Sequence, residues 1–146
     1  MIVINFAHKG REVRLDIEGH ADSGELAGTI CACASILAYT VAQTLTQLHD
    51  AGRLRKPHVD LASGSGHVCV RLNEECADEV LHTYYVAQNG YRLLAANYPE
   101  NYIVAFEAWA QQAPADVKQK SDANRAAAKD TRWSEVVTLP SPDNPV

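Results

Sequence analysis

Apolar and polar positions change period several times along the chain. Ile2, Val3, Ile4 and Phe6 form a β-branched and aromatic run that predicts a strand from Ile2 to Ala7. Lys9-Gly10-Arg11 is a turn, and Glu12 to Glu18 then alternates strictly. Val13, Leu15 and Ile17 share one face, and Glu12, Arg14, Asp16 and Glu18 share the other. Period two with one polar face is a half-buried strand, and the two strands make a hairpin. Gly19 ends it, and His20 to Gly28, small and polar, predicts a mobile loop. From Thr29 to Ala51 the period becomes helical, with Ile30, Ala34, Leu37, Val41, Leu45 and Leu48 at steps of three and four before Gly52.

The same unit then recurs. His58 to Ala62 and His67 to Leu72 alternate as strands, and Ser63-Gly64-Ser65-Gly66 joins them as a hairpin. Asn73 is placed to cap a second helix running to about Ala96, with Glu74 and Glu75 at its positive end and Gly90 as a weak point midway. Asn97 to Asn101 is a Pro-containing turn, Tyr102 to Glu107 a last strand, and 108–113 the start of a short helix. The order ββαββαβ predicts an α+β fold. It is a two-layer sandwich, with a mainly antiparallel five-stranded sheet and two helices on one face.

Composition divides the 146 residues in two. Residues 1–113 are expected to be one compact domain. Residues 114–146 are polar, Ala-rich and then Pro-containing, and read as a tail in which Trp133, Val136 and Val137 are available to dock. The domain holds 8 basic and 13 acidic residues and so carries the whole net charge of −5, whereas the tail holds 5 of each. At 47% hydrophobic residues the chain is not disordered as a whole. An acidic domain argues against a nucleic-acid partner, since that affinity comes largely from neutralising phosphates. The apolar stretch from Ile30 to Ala42, interrupted by Ser35 and Thr40, reads as too short for a membrane span, and the start has no secretory pattern. A cytoplasmic location follows, so Cys31, Cys33, Cys69 and Cys76 are expected to be thiols.

Chemistry concentrates between Gly19 and Ser35. His20 lies just past a strand end, and Cys31 lies in the first turn expected of the long helix. Free N–H groups and the helix dipole stabilise a thiolate there, and the same donors suit an oxyanion. An imidazole brought close by the loop completes the pair that nucleophilic cysteine catalysis requires. Ser35 falls on the face of Cys31, while Cys33, roughly 200° around the helix, points elsewhere.

The sequence Gly19-His20-Ala21 followed by Ile30-Cys31-Ala32-x-Ala34-Ser35 resembles the Prp family of ribosomal-processing cysteine proteases. The likeness covers about residues 1–108. It implies His20 as catalytic histidine, Cys31 as nucleophile, Ser35 as the serine one turn on and Gly19 as the hinge of a loop that opens for substrate, with Ala21 and Asp22 in that loop. It further implies a cytosolic homodimer without cofactor or metal. Its partner would be a protein with a cleavable N-terminal extension, a large-subunit ribosomal protein or an analogous phage structural protein. An acidic domain suits a basic peptide.

Three departures stand beside the likeness. Gly28 occupies the position of the family's aspartate, leaving Asp22 or Glu25 as substitutes. Cys33 replaces a glycine, and the spacing from His20 to Cys31 and the long tail after Pro114 are unlike compact members of the family. These motivate the alternative of a non-catalytic binding or assembly module on the same fold. A zinc reading of Cys31, Cys33, Cys69 and Cys76 is weaker, because the first pair lies within a helix and the second is not spaced as in a zinc ribbon. Ser63 to Gly66 lacks the lysine of a phosphate loop and reads as a plain turn. Arg53-Leu-Arg55-Lys56 reads as a solvated connector, and Tyr84, Tyr85, Tyr91, Tyr98 and Trp109 as core or dimer contacts.

Overall fold

The computed structural model describes residues 1–107. The expected helix after 107, the boundary at 113 and the tail lie outside them. Seven elements follow in the expected order: β1 (Ile2–Lys9), β2 (Glu12–Gly19), α1 (Ala27–Asp50), β3 (His58–Ala62), β4 (Ser65–Arg71), α2 (Ala77–Asn97) and β5 (Tyr102–Glu107). They form a two-layer α+β sandwich whose strand order is β3-β4-β2-β1-β5. Three neighbouring pairs are antiparallel, and β1 with β5 is parallel. The sheet is thus mixed and mostly antiparallel.

Both hairpins close on two-residue turns. Lys9 pairs with Glu12 around Gly10, which has φ +58°, and Ala62 pairs with Ser65 around Gly64, which has φ +79°. Positive φ at a hairpin turn matches the right-handed twist of the strands, and glycine adopts it without strain. The second turn is therefore shorter than the sequence suggests, since Ser65 and Gly66 already belong to β4.

The helices cover one face. Ile2, Ile4 and Phe6 of β1, Val13 and Leu15 of β2, and Val68 and Val70 of β4 are buried there. Val3 and Ile103, one residue out of phase, stay partly exposed on the other side. α1 contributes Ile30, Ala34, Ala38, Val41, Ala42 and Leu45, and α2 contributes Val80, Tyr84, Ala87, Gln88, Tyr91 and Leu94. α1 is 24 residues long and, by length and composition alone, would pass as a membrane span. Length therefore does not exclude that use, contrary to the expectation from 30–42. The buried stripe of α1, Ile30, Ala34, Ala38, Val41, Ala42 and Leu45, packs in the domain's core.

Gly90 proves to be a crossing point. A β-carbon there would come within 2.9 Å of Leu37, so the missing side chain lets α2 approach α1. Asn73 accepts a hydrogen bond from Cys76 N–H at 3.1 Å, capping the turn before α2 and not the helix itself, which starts at Ala77.

Three buried tyrosines tie the layers together, each donating its hydroxyl to a backbone carbonyl. Tyr84 reaches Val68 at 3.0 Å, Tyr91 reaches Ala34 at 2.8 Å, and Tyr102 reaches Ile30. Buried phenols need such partners, and these use carbonyls of a strand and of α1. Tyr91→Phe keeps the ring and loses the bond, so we expect a loss of about 1 kcal/mol in urea unfolding with the slope unchanged. Leu45→Ala, at a fully buried position, should cost about 2–5 kcal/mol in the same assay.

Candidate functional site

The β2–α1 connection and the β3–β4 turn meet beside the N-terminal half of α1. Their meeting forms a cleft of about 130 Å³. His20 and Gly19 come from the end of β2. Cys31, Ala34, Ser35 and Tyr39 come from α1, and Leu61 to Gly66 from the second hairpin. Two residues singled out in the sequence, His20 and Cys31, thus line one cavity, together with Gly19 and Ser35.

The local geometry differs from expectation in four ways. First, α1 begins at Ala27, two residues early, because Ile30 N–H already bonds to Leu26 C=O at 2.9 Å. Cys31 is therefore the fifth helical residue, and its own N–H lies inside the helical ladder. The donor that reaches its sulfur is Ala21 N–H, at 3.3 Å. The preorganised N–H at this thiol comes from the loop and not from the helix start. Second, the His20 imidazole stands against Gly64, close enough that a β-carbon on Gly64 would lie 2.4 Å from Nε2. Among the described residues no hydrogen bond joins His20 to Cys31.

Third, Gly19 (φ +98°) is held firmly. It pairs with Ile2 in the β1–β2 ladder, donates to Gly64 C=O at 2.9 Å, and leaves no room for a side chain, since a β-carbon would sit 2.2 Å from Met1 O. Fourth, Asp22 does not line the cleft. It lies 3.2 Å from the amino group of Met1, which also donates to His20 C=O at 2.6 Å. Glu25 and Gly28 are likewise absent from the cleft wall, and a β-carbon on Gly28 would point into open space. Ser35 donates its hydroxyl to Cys31 C=O at 2.9 Å, which leaves its oxygen free to accept.

The second hairpin is the part of the site that sequence reasoning missed. Ser63 to Gly66 reads locally as a turn, and it is one, but it also forms a wall. Adjacent glycines and serines were the available signal, since they allow close approach of another chain. No Asp, Glu, Lys or Arg side chain lines the cleft. The domain's acidity therefore does not extend into the cleft, and the expected preference for a basic peptide has no support there.

The four cysteines are unequal. Cys76 is buried, its thiol donating to Arg53 C=O at 3.2 Å, and burial pushes its pKa up. Cys69, on β4, is pushed up to about 11, chiefly by burial and then by Glu12. Cys31 and Cys33 both neighbour Tyr102. Burial first, then Cys33 and Cys31, push that phenol above its usual value. Among the described residues no group of three His, Cys, Asp or Glu side chains is gathered as a metal site would require.

No family model and no curated protein matches the sequence. Solved structures do. The essential ribosomal processing protease Prp from S. aureus, solved with a substrate peptide, superposes with a TM-score of 0.57 at 20% identity, covering 73% of this chain and all of that one. The same protease with a covalently linked product peptide gives 0.57 at 21% identity, again with 73% and 100% coverage. SMU.848 from Streptococcus mutans gives 0.55 at 23% identity, covering 73% of this chain and 94% of its own. The chain shares the Prp fold.

Thiol labelling at neutral pH checks the ranking of the cysteines. Cys31 should alkylate well before Cys69, whose thiolate should appear only near pH 11, as read by peptide mass mapping. Equal rates for the two would contradict the special standing of Cys31.

Proposed function

We propose that this chain is a cysteine endopeptidase. In this reading it removes a short N-terminal extension from a large-subunit ribosomal protein or from an analogous phage structural protein. The carrying observation is that Cys31 and His20 line one cleft, with Ala21 N–H directed at the sulfur, on a fold shared with a peptide-bound ribosomal processing protease.

His20 takes the proton of the Cys31 thiol, and the thiolate attacks the scissile carbonyl carbon, forming a C–S bond. Ala21 N–H is the donor at hand for the oxyanion. Collapse of the tetrahedral species breaks the C–N bond, and His20 passes its proton to the leaving amine. Water then gives a proton to His20 and its oxygen to the thioester, releasing the acid and the thiolate. For this cycle the imidazole must turn toward the sulfur within the space that the bare Gly64 α-carbon leaves open. A wall without Asp, Glu, Lys or Arg suits an apolar or small stretch of substrate, and any basic flanking residues would meet the acidic surface outside it. The enzyme acts in the cytoplasm as a homodimer. The apolar side chains left exposed on the helices, Ile36, Tyr39, Tyr85 and Val86, provide the contact surface.

One observation favours the second reading, a binding or assembly module. The thiol's described partner is a backbone N–H, and the imidazole rests elsewhere. Cleavage separates the two. Cys31→Ala should abolish cutting of a peptide that spans such an extension, as followed by mass spectrometry with and without residues 114–146. Cys33→Ala should retain it. Undiminished cutting by Cys31→Ala would remove the assignment.

A further inference from the structure

Four described glycines have positive φ, and they divide into two kinds. Gly10 and Gly52 face open space, with nothing within 4 Å of a built β-carbon. Their glycine identity answers a backbone need alone. Gly19 and Gly64 meet atoms, and they are bonded to each other, Gly19 N–H to Gly64 C=O at 2.9 Å. At Gly64 the obstructing group is the His20 ring, with Nε2 at 2.4 Å and two ring carbons at 3.1 Å from the built β-carbon. No real β-carbon tolerates such a distance, so any side chain at 64 must move the imidazole.

We propose that Gly64, in the β3–β4 turn, is a positioning residue for His20: its bare α-carbon holds the space in which the imidazole stands at the mouth of the cleft. This rests on the Cys–His reading above. The placement has a plain physical origin. β2 pairs with β4 in a register that sets Glu18 opposite Ser65, and extending that pairing by one residue puts Gly19 opposite Gly64. His20 then leaves the strand end directly over the turn. A backbone bond fixes where the histidine departs, and the missing side chain fixes where its ring can lie. The second hairpin, remote in sequence from both His20 and Cys31, thereby controls the distance between them.

The test compares Gly64→Ala with Gly10→Ala. Both place alanine at a positive-φ hairpin position and pay the same kind of strain, but only the first meets an imidazole. Gly64→Asn serves as a second variant, since asparagine tolerates the left-handed region while carrying the same β-carbon. Two quantities are read: the rate of Cys31 alkylation at neutral pH, and the His20 ring resonances in the NMR spectrum. Both Gly64 variants should shift those resonances and slow alkylation about tenfold. Gly10→Ala should leave both readings unchanged. In a His20→Ala background, Gly64→Ala should slow alkylation no further, because its effect passes through the ring.

Native-like alkylation and unshifted resonances in both Gly64 variants would overturn the proposal. Equal slowing with and without the His20 side chain would overturn it too, as that marks a general structural effect. Should neither variant fold, the unmodified chain still decides. A nuclear Overhauser contact between the His20 ring and the Gly64 α-protons is expected, and its absence would overturn the placement. If His20→Ala alone leaves Cys31 alkylation unchanged, the Cys–His reading itself fails, and the role of Gly64 falls with it.

Discussion

The hydrogen bond from Gly19 N–H to Gly64 C=O is the junction on which the site depends. It lies one residue beyond the β2–β4 pairing, and it draws together three segments of the chain. β2 ends there, the second hairpin turns there, and the loop leading to α1 departs there. Because both residues are glycines at positive φ, the junction is tight enough for His20 to lie on the turn and for Ala21 N–H to reach Cys31. α1 is fixed from the other side. The Tyr102 and Tyr91 hydroxyls bond to the carbonyls of Ile30 and Ala34, which flank Cys31 along the helix. The cysteine is thus held by the core, and the histidine by the strand ends.

That division explains what was legible in the sequence. Local periodicity revealed every strand and helix of the described region, because period two in Glu12 to Glu18 and period 3.6 after Thr29 are backbone properties of short segments. The candidate pair was legible for a different reason: a histidine after a strand and a cysteine opening a helix stand within one short stretch. What escaped depends on pairing between distant segments. Nothing local says that Ser63 to Gly66 will face His20, that β5 will pair in parallel with β1, or that Gly90 marks a helix crossing. The early start of α1 escaped because Leu26 supplies no side-chain cap, so the usual marker is missing.

Charge tells a similar story of location. The acidity belongs to residues 1–113, yet none of it lines the cleft. Apart from Met1 with Asp22, which adjoins His20, the described ion pairs lie elsewhere. Lys9 meets Glu107 and Arg14 meets Asp16, each at 2.6 Å, beside the sheet face that the helices leave open. Arg53 meets Glu79, also at 2.6 Å, near the start of α2. Exposed pairs of this kind add little stability. Their consequence is to leave the cleft to shape, hydrogen bonding and apolar contact, which is how a short peptide stretch would be recognised.

In the proposed mechanism Cys31 forms a covalent bond to the substrate's acyl group. Rapid acid quenching of the full chain with a cleavable peptide, followed by intact-mass and peptide-mapping spectrometry, tests it directly. A transient mass increase equal to the acyl fragment is expected, located on the peptide that carries Cys31 and absent from Cys31→Ala. Product formation without any adduct on Cys31, or with the adduct on another residue, would contradict it.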